Sequence, residues 1–515
     1  MKKSFTCLCL LLLVFGCKKD STVTPPVVVP PVVVNTTPPV TFSLEEEKNK
    51  GKITNDIALT LDGTNLKGYT SGTTESHSFA VTFKTKDAAS TVKIKDIAQV
   101  SGVTVNDFTK PIVYTITDSK GASINYTVSI YNFTGLPIFK ITTASPVVSK
   151  DDYVTGALNI NANGYADQET NDIKLQIKGR GNSTWALHPK KPYRLKFDSK
   201  AQLLGMPSAK NWVLLANYSD KTLMRNYIAD GVAQSLKSDF APHGIFVEVV
   251  MNGEYLGTYM LTEQVEVNAA RVNIPELKPA DNSASVVTGG YLLELDQRQE
   301  DPYRFKTAGN LPFTIKSPDV PSTAQMDYIT GYMQQTENAI FAANFADPVN
   351  GYSKYINSDS FINWFLVNEL FKNQDAANYS SMFYYKDRDG KLGMGPAWDF
   401  DLAAGNVDYS DATNPNGWWV KDGPWFSRLF QDPAFVTKVR TRWQFLKANG
   451  IPAMFKSIDD TQTYLTRPAE QNFTKWDILN TYVWPNPIVL GTYPKEVNQL
   501  KAWLIQRIAW MDGNL

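Results

Sequence analysis

Residues 373–406, NQDAANYSSMFYYKDRDGKLGMGPAWDFDLAAGN, impose the tightest constraint on any fold this chain adopts. Asp399 and Asp401 stand between two apolar runs, Gly395-Pro396-Ala397-Trp398 and Leu402-Ala403-Ala404, which carry them towards an interior. An acid buried there without a proton, a cation or hydrogen-bond donors is costly, so the fold has to supply one of these. Phe383–Tyr385 is a β-prone run, residues 386–390 form a turn with an Asp-Gly signal, and Lys391–Asp401 starts a return strand. If Trp398–Asp401 is extended, Asp399 and Asp401 share one face while Trp398 and Phe400 pack on the other. A hard cation such as Mg²⁺ suits two such carboxylates. The alternative is a pair of solvated acids at a strand end.

The chain has 515 residues, enough for two or three domains, and 12% of them are aromatic. Its 51 Lys and Arg balance its 51 Asp and Glu, so no overall basic field draws it to nucleic acid. The three His, at positions 77, 188 and 243, fall in no metal-binding spacing, and neither HExxH nor GxSxG occurs. At the N-terminus, Met1-Lys2-Lys3 precedes an apolar run, Phe5–Phe15, that is too short to span a bilayer. Val14-Phe15-Gly16-Cys17 resembles a bacterial lipobox, which implies lipidation at Cys17 and an exported lipoprotein on the outer membrane or cell surface. An ordinary cleaved signal is the other reading. Cys7 and Cys9 leave with the signal, so no internal disulfide is expected. The polar run Lys18-Lys19-Asp20-Ser21 is loosely similar to the export signals of surface lipoproteins in the Bacteroidetes. The repeat Pro25-Pro26-Val27-Val28-Val29, Pro30-Pro31-Val32-Val33-Val34 then reads as a stiff spacer.

Short alternating runs between Phe42 and Phe133, divided by Gly, Asn, Asp and Thr, indicate a small antiparallel sandwich that resembles immunoglobulin-like modules. The expected divisions are a signal over 1–17, a linker over 18–41, the sandwich over 42–135 and one larger unit over 136–515. In the last of these, Ile173–Lys178 is a strand that runs into the turn Gly179-Arg180-Gly181-Asn182-Ser183. Backbone N–H groups and hydroxyls of such a turn can approach phosphate oxygens. In the next strand Tyr193, Leu195 and Phe197 face a core, and Arg194 and Lys196 face the other way. Asn252-Gly253 marks a hairpin, and beyond about Ser322 the periodicity becomes helical. Phe361–Lys372 is apolar around most of its circumference, as a core helix is.

Four stretches carry a family resemblance: GPAWDFDLAAGN, RGNSTW with the following PKKPYRLKF, WVLLANYSDKTLMRNYIADGVAQSL with its Arg225-Asn226 pair, and Thr262-Glu263-Gln264-Val265-Glu266. Together they resemble the CotH kinases, extracytoplasmic relatives of protein kinases first known from spore coats. The resemblance spans about Ile173 to Trp510. It omits the sandwich and implies, after it, an atypical kinase-like bilobal domain with a helical C-terminal part, which makes the chain α+β as a whole. It implies transfer of the γ-phosphoryl of ATP, with Mg²⁺, to Ser or Thr hydroxyls of a protein. By the same resemblance Asp399 is the metal ligand, helped by Asp401 or Asn406, and Asp375 is the catalytic-loop acid. Lys191 is the nucleotide lysine, with Lys190 its competitor, while Arg180, Asn182 and Ser183 cradle phosphate. Glu263 either lies beside the nucleotide and balances Lys191 or is a strand-end acid. Asp230 either holds the lysine or is an exposed helix acid. Kinases place a metal-binding Asn five residues after the catalytic Asp, a position held here by Ser380, with Asn378 earlier.

Two other classes use some of the same residues. A glycosidase would employ Asp399 with Asp401, or Asp375 with either, as its carboxylate pair, and would leave the Arg-Gly-Asn-Ser turn and the Lys-Lys strand without a role. A binding or adhesion protein would use the sandwich and the aromatic loops, Trp418, Trp419, Trp425 and Phe426, without turnover. The phosphotransferase reading rests on Asp399 and Lys191 converging on one triphosphate.

Overall fold

The computed structural model describes residues 40–515 apart from Thr73 and Glu75. The signal, Cys17 and the Pro-Val repeat therefore lie outside the described residues. Within them the chain is of the α+β class. The sheet-rich N-terminal part places a three-stranded sheet, centred on Val40–Leu44, against a six-stranded one. Phe42 and Leu44 from one sheet meet Leu66, Tyr114, Tyr126 and Val128 from the other in a single core. The alternation of buried Tyr126, Val128 and Ile130 along Ser123–Asn132 is the period-two signature of a strand with one face covered. The arrangement is not wholly antiparallel, however: Asn65–Thr70 runs parallel to Ser123–Asn132. Strands this far apart in sequence have a connection long enough for parallel pairing, which a tight turn forbids.

From Ile138 onward the chain closes a seven-stranded barrel, in which Ile138–Thr143 pairs in parallel with Gly244–Met251 to complete the ring. Tyr193, Leu195 and Phe197 do face its core, with Leu175, Ile177 and Trp212. Asn252 and Gly253, both with positive φ (51° and 83°), make the expected hairpin turn between the barrel strands Gly244–Met251 and Glu254–Glu263. Trp212–Leu215 is buried on both faces because Val213 and Leu215 join a second, larger core outside the barrel.

That larger core sits in the C-terminal half, around a five-stranded antiparallel sheet whose central strand, Tyr291–Leu295, pairs with Pro312–Ser317 and Met382–Lys386. Helix Thr323–Phe341 begins where the period changes, closed by a capping box between Ser322 and Gln325. Helix Ser358–Phe371 is buried at nearly every position, as its all-round apolar sequence requires. Helices Pro433–Phe445, Ile451–Tyr464, Thr466–Lys475 and Tyr493–Asn514 complete the half.

The return strand is shorter than its sequence suggests. It spans only Leu392–Met394, because Pro396 has no N–H with which to extend the ladder. Asp399 is left-handed (φ 69°), so the extended alternation through Trp398–Asp401 does not form. Trp398 packs instead with Phe240, Val272 and Phe383, and Phe400 packs with Phe371 in the main core.

Candidate active site

The barrel strand Thr170–Gly179 ends at the turn Arg180-Gly181-Asn182-Ser183, which opens the short helix Ser183–Leu187. Two glycines are required here for different reasons. Gly181 is left-handed (φ 81°), and a Cβ on Gly179 would lie 2.3 Å from the Trp185 ring. The turn forms one wall of a cavity of about 330 Å³ whose other walls come from the strand Tyr291–Leu295, Asp375 and the segment from Trp398 to Leu402. Arg180 crosses it, with its guanidinium 5.6 Å from the centre of the Trp398 ring.

Asp375, Asp399 and Asp401 all line this cavity. Asp375 sits on a 3-10 turn that follows the core helix and accepts a hydrogen bond from Ser380 Oγ at 3.2 Å. Burial, then the charge of Asp399, pushes its carboxyl up to about 6, against the pull of Arg298. Asp399 accepts from Ser381 Oγ at 3.2 Å. Burial and the neighbouring Asp399 and Asp375 hold the Asp401 carboxyl well above the usual range, with Arg180 opposing. The partners these carboxylates find are hydroxyls, two arginines and each other.

The acid loop is held from behind. Asn373 Nδ2 donates to the Trp398 carbonyl at 3.1 Å, and the Phe400 N–H donates to Asn226 Oδ1 at 2.7 Å. Arg225 Nε donates to the Ala403 carbonyl at 3.0 Å, while its Nη1 pairs with Asp220 at 2.5 Å in a nearly fully buried bridge. The Arg225-Asn226 pair therefore acts by positioning the loop.

Several expected site residues lie elsewhere. Lys191 does not line the cavity: its Nζ donates to the Trp185 carbonyl at 2.5 Å and lies 5.4 Å from that ring. Lys190 is buried, donating to the Thr258 carbonyl and to Asn472 Oδ1 at 2.5 and 2.8 Å, so it ties the barrel to helix Thr466–Lys475. Glu263 is fully buried and accepts from the His243 backbone and ring at 3.0 Å, with Arg271 Nε 3.9 Å away. Asp230 is buried rather than exposed and faces Glu263. Asn406 also turns away from the acids. Its Nδ2 donates to the Ser219 and Asp401 carbonyls, and its Oδ1 accepts from Asn486. Ser183 and Asn182 line the cavity, and Asn182 Oδ1 accepts from Lys150 Nζ at 3.2 Å.

The cations that do line it are Arg180, Lys150, Lys178, Arg194, Arg298 and Lys316. Lys178 and Arg194 are direct cross-strand partners, and burial with mutual repulsion lowers the Lys178 ammonium. Their signal was present in the sequence, as polar positions alternating with Leu175, Ile177 and Leu195. Lys316 bridges Asp301 at 2.7 Å and Glu294 at 3.5 Å, and Glu294 in turn accepts from the Ser381 N–H at 3.2 Å.

An acid cluster thus faces a Gly-containing turn and a basic strand pair, between a barrel and a helical half. The family model described as CotH kinase protein matches residues 177–511, and the chain belongs to that family. Among curated proteins none matches. One solved structure from Bacteroides thetaiotaomicron, with a provisional glycoside hydrolase description, is 16% identical at a TM-score of 0.13. The similarity covers 30% of this chain and 47% of that one, so the chain spans under half of that protein's length.

Proposed function

We propose that the protein is an extracytoplasmic kinase that moves the γ-phosphoryl of ATP to a Ser or Thr hydroxyl of another protein. The expected convergence of Asp399 and Lys191 is not found, since Lys191 lies outside the cavity, and the single observation that carries this reading in its place is that Asp375, Asp399, Asp401 and Arg180 line one cavity of a CotH-family chain. In this reading the barrel and the helical half serve as the two lobes of a kinase, with the triphosphate between them. Arg180, the turn N–H groups and the Lys178–Arg194 pair neutralise phosphate oxygens, taking over the part expected of Lys191. Asp375, held by Ser380, accepts the proton of the attacking hydroxyl. Positioning and charge stabilisation of this kind are most of what phosphoryl transfer asks of a protein.

Among the described residues no group of three or more His, Cys, Asp or Glu is disposed as a metal cage. The donor set still fits Mg²⁺, which is commonly held by one or two carboxylates and completes its shell with water and substrate phosphates. Asp399 and Asp401 would hold it, and it would supply charge neutralisation at the substrate phosphates. Burial first, then the charges of Asp399 and Asp375, raises the Asp401 carboxyl, and a cation beside the pair would oppose that shift.

Calorimetry of the purified protein with ATP, with and without Mg²⁺, tests the reading. Mg²⁺-dependent ATP binding is expected, with transfer to Ser or Thr of an acceptor abolished in Asp399→Ala. Binding of oligosaccharide and not of nucleotide would overturn it. We also propose that Cys17 carries the lipid anchor, that the chain resides on the outer membrane or cell surface, and that residues 42–135 hold the kinase-like unit of 136–515 away from it. Cys17→Ala is expected to move the protein from the membrane to the soluble fraction.

A further inference from the structure

Glu294 lines the same cavity as the three aspartates, yet the proposed transfer gives it no part. It stands near the end of the central strand Tyr291–Leu295, with its side chain 15% exposed. In the two ladders it lies opposite Thr314 and Phe383. Lys316, two residues beyond Thr314, is therefore its diagonal neighbour on one face, which accounts for their ion pair at 3.5 Å. That pair occupies Glu294 Oε2, and Oε1 accepts the Ser381 N–H at 3.2 Å.

The loop that receives this bond is strained. Ser381 and Asn378 are both left-handed (φ 60° and 62°), a conformation that a residue with a Cβ keeps only where its surroundings impose it. The segment that continues the strand grips the loop at two further points. The Gln297 N–H donates to the Tyr379 carbonyl at 2.8 Å and its Nε2 to the Asn378 carbonyl at 3.0 Å, while the Arg298 guanidinium sits 5.0 Å from the centre of the Tyr379 ring. Gln297 and Arg298 thus hold Asn378 and Tyr379, and Glu294 holds Ser381 itself. The loop delivers two adjacent hydroxyls at 3.2 Å, Ser380 to Asp375 and Ser381 to Asp399.

We propose that Glu294 is a positioning residue: by accepting the Ser381 N–H it fixes the left-handed turn that aims the Ser381 hydroxyl at Asp399. The catalytic consequence of this role rests on the kinase reading. The role asks for an acceptor and not for a charge, so an amide oxygen at the same place meets it. Lys316 keeps Asp301 at 2.7 Å when that charge is removed, so Glu294→Gln strands no cation.

The test uses the full chain. Two truncations, Glu294→Ala and the strand-favouring Glu294→Thr, remove the acceptor, and Glu294→Gln restores it. In metal-free protein, amide hydrogen exchange at Ser381 is expected to quicken roughly tenfold or more in the truncations and to stay near the unaltered rate in Glu294→Gln. The amides of Tyr291–Leu295 should keep their protection throughout, which a general loosening of the sheet would not allow. With Mg²⁺-ATP and dephosphorylated casein as acceptor, kcat should fall roughly ten- to hundredfold in the truncations and return to within about threefold in Glu294→Gln. Adding Ser381→Ala to Glu294→Ala should lower kcat no further than the worse single change, because both act on one contact. Unaltered exchange at Ser381, exchange rising along the whole strand, Glu294→Gln as slow as Glu294→Ala, or losses that multiply in the double variant would each overturn the proposal. An unaltered chain that transfers nothing overturns the kinase reading instead, and the exchange at Ser381 then decides the positioning by itself.

Discussion

At the scale of single residues, Asp375 has the most to reveal. Its carboxyl is raised to about 6 by burial and by Asp399, which suits a base that works near neutral pH. The same shift acts against stability. The folded state keeps the proton to about pH 6 while the unfolded chain releases it near pH 4, so stability falls as pH rises through that window and stays lower above it. Asp375→Asn is therefore expected to abolish transfer yet raise the stability of metal-free protein at neutral pH, on the order of 1–3 kcal/mol, with no gain below about pH 4. Denaturant melts at the two pH values check the second part, and the rate of the unaltered enzyme should climb as pH rises through about 6. The apolar flanks of Asp399 and Asp401 point to burial in the sequence, whereas Asp375 joins their site there through the family resemblance. The resemblance points to Lys191, with Lys190 its competitor, whereas which basic residue faces a cavity depends on strand register, and Lys191 precedes the strand Tyr193–Ala201 altogether.

At the scale of elements, helix Ser358–Phe371 delivers Asp375 to the cavity, and its rigidity depends on one ion pair. Glu369 accepts N–H bonds from Trp419, Val420 and Lys421 at 2.8, 2.8 and 2.9 Å, and Arg507 Nη2 at 2.5 Å. Both partners are fully buried, and Arg507 also donates to the Pro415 and Gly417 carbonyls. The pair thus ties together the core helix, the aromatic loop and the C-terminal helix Tyr493–Asn514. Removing one partner strands the other charge, so Arg507→Met is expected to cost roughly 3–5 kcal/mol in chemical denaturation. The sequence marked the helix as buried but gave no hint that Glu369, one acid in an apolar run, would meet an arginine 138 residues away. It also placed Trp418, Trp419, Trp425 and Phe426 on the surface or in a lobe. The structure buries Trp425 and Phe426, with Phe426 stacked on Trp364 at 5.9 Å.

At the scale of the whole molecule, the sandwich is docked on the barrel through polar groups. Asn163 accepts from the Asn132 N–H at 2.7 Å and donates to the Asn132 and Leu136 carbonyls at 2.6 and 2.8 Å. Thr134 donates to Glu248 at 2.7 Å, and Arg467 Nε donates to the Phe133 carbonyl at 2.9 Å. Asn163→Ala leaves the Asn132 N–H and the Leu136 carbonyl without partners, the Asn132 carbonyl keeping the Gly135 N–H, a loss of roughly 2–4 kcal/mol concentrated at this junction. Scanning calorimetry is expected to resolve the sandwich as a separate, earlier transition, with ATP affinity unchanged.

What the chain determines by itself is local. Period two marked the strands, Asn252-Gly253 the hairpin, all-round apolarity the core helix, and apolar flanks the buried acids, because each depends on neighbours within a few residues. Only the tertiary structure decided that the strands close into a barrel, that Asn65–Thr70 pairs in parallel, that Asn406 and Glu263 serve the scaffold, and that Arg180 is the cation facing the acids. Those outcomes follow from which distant surfaces meet, and burial energy depends on the partner a surface finds, which no stretch of sequence carries on its own.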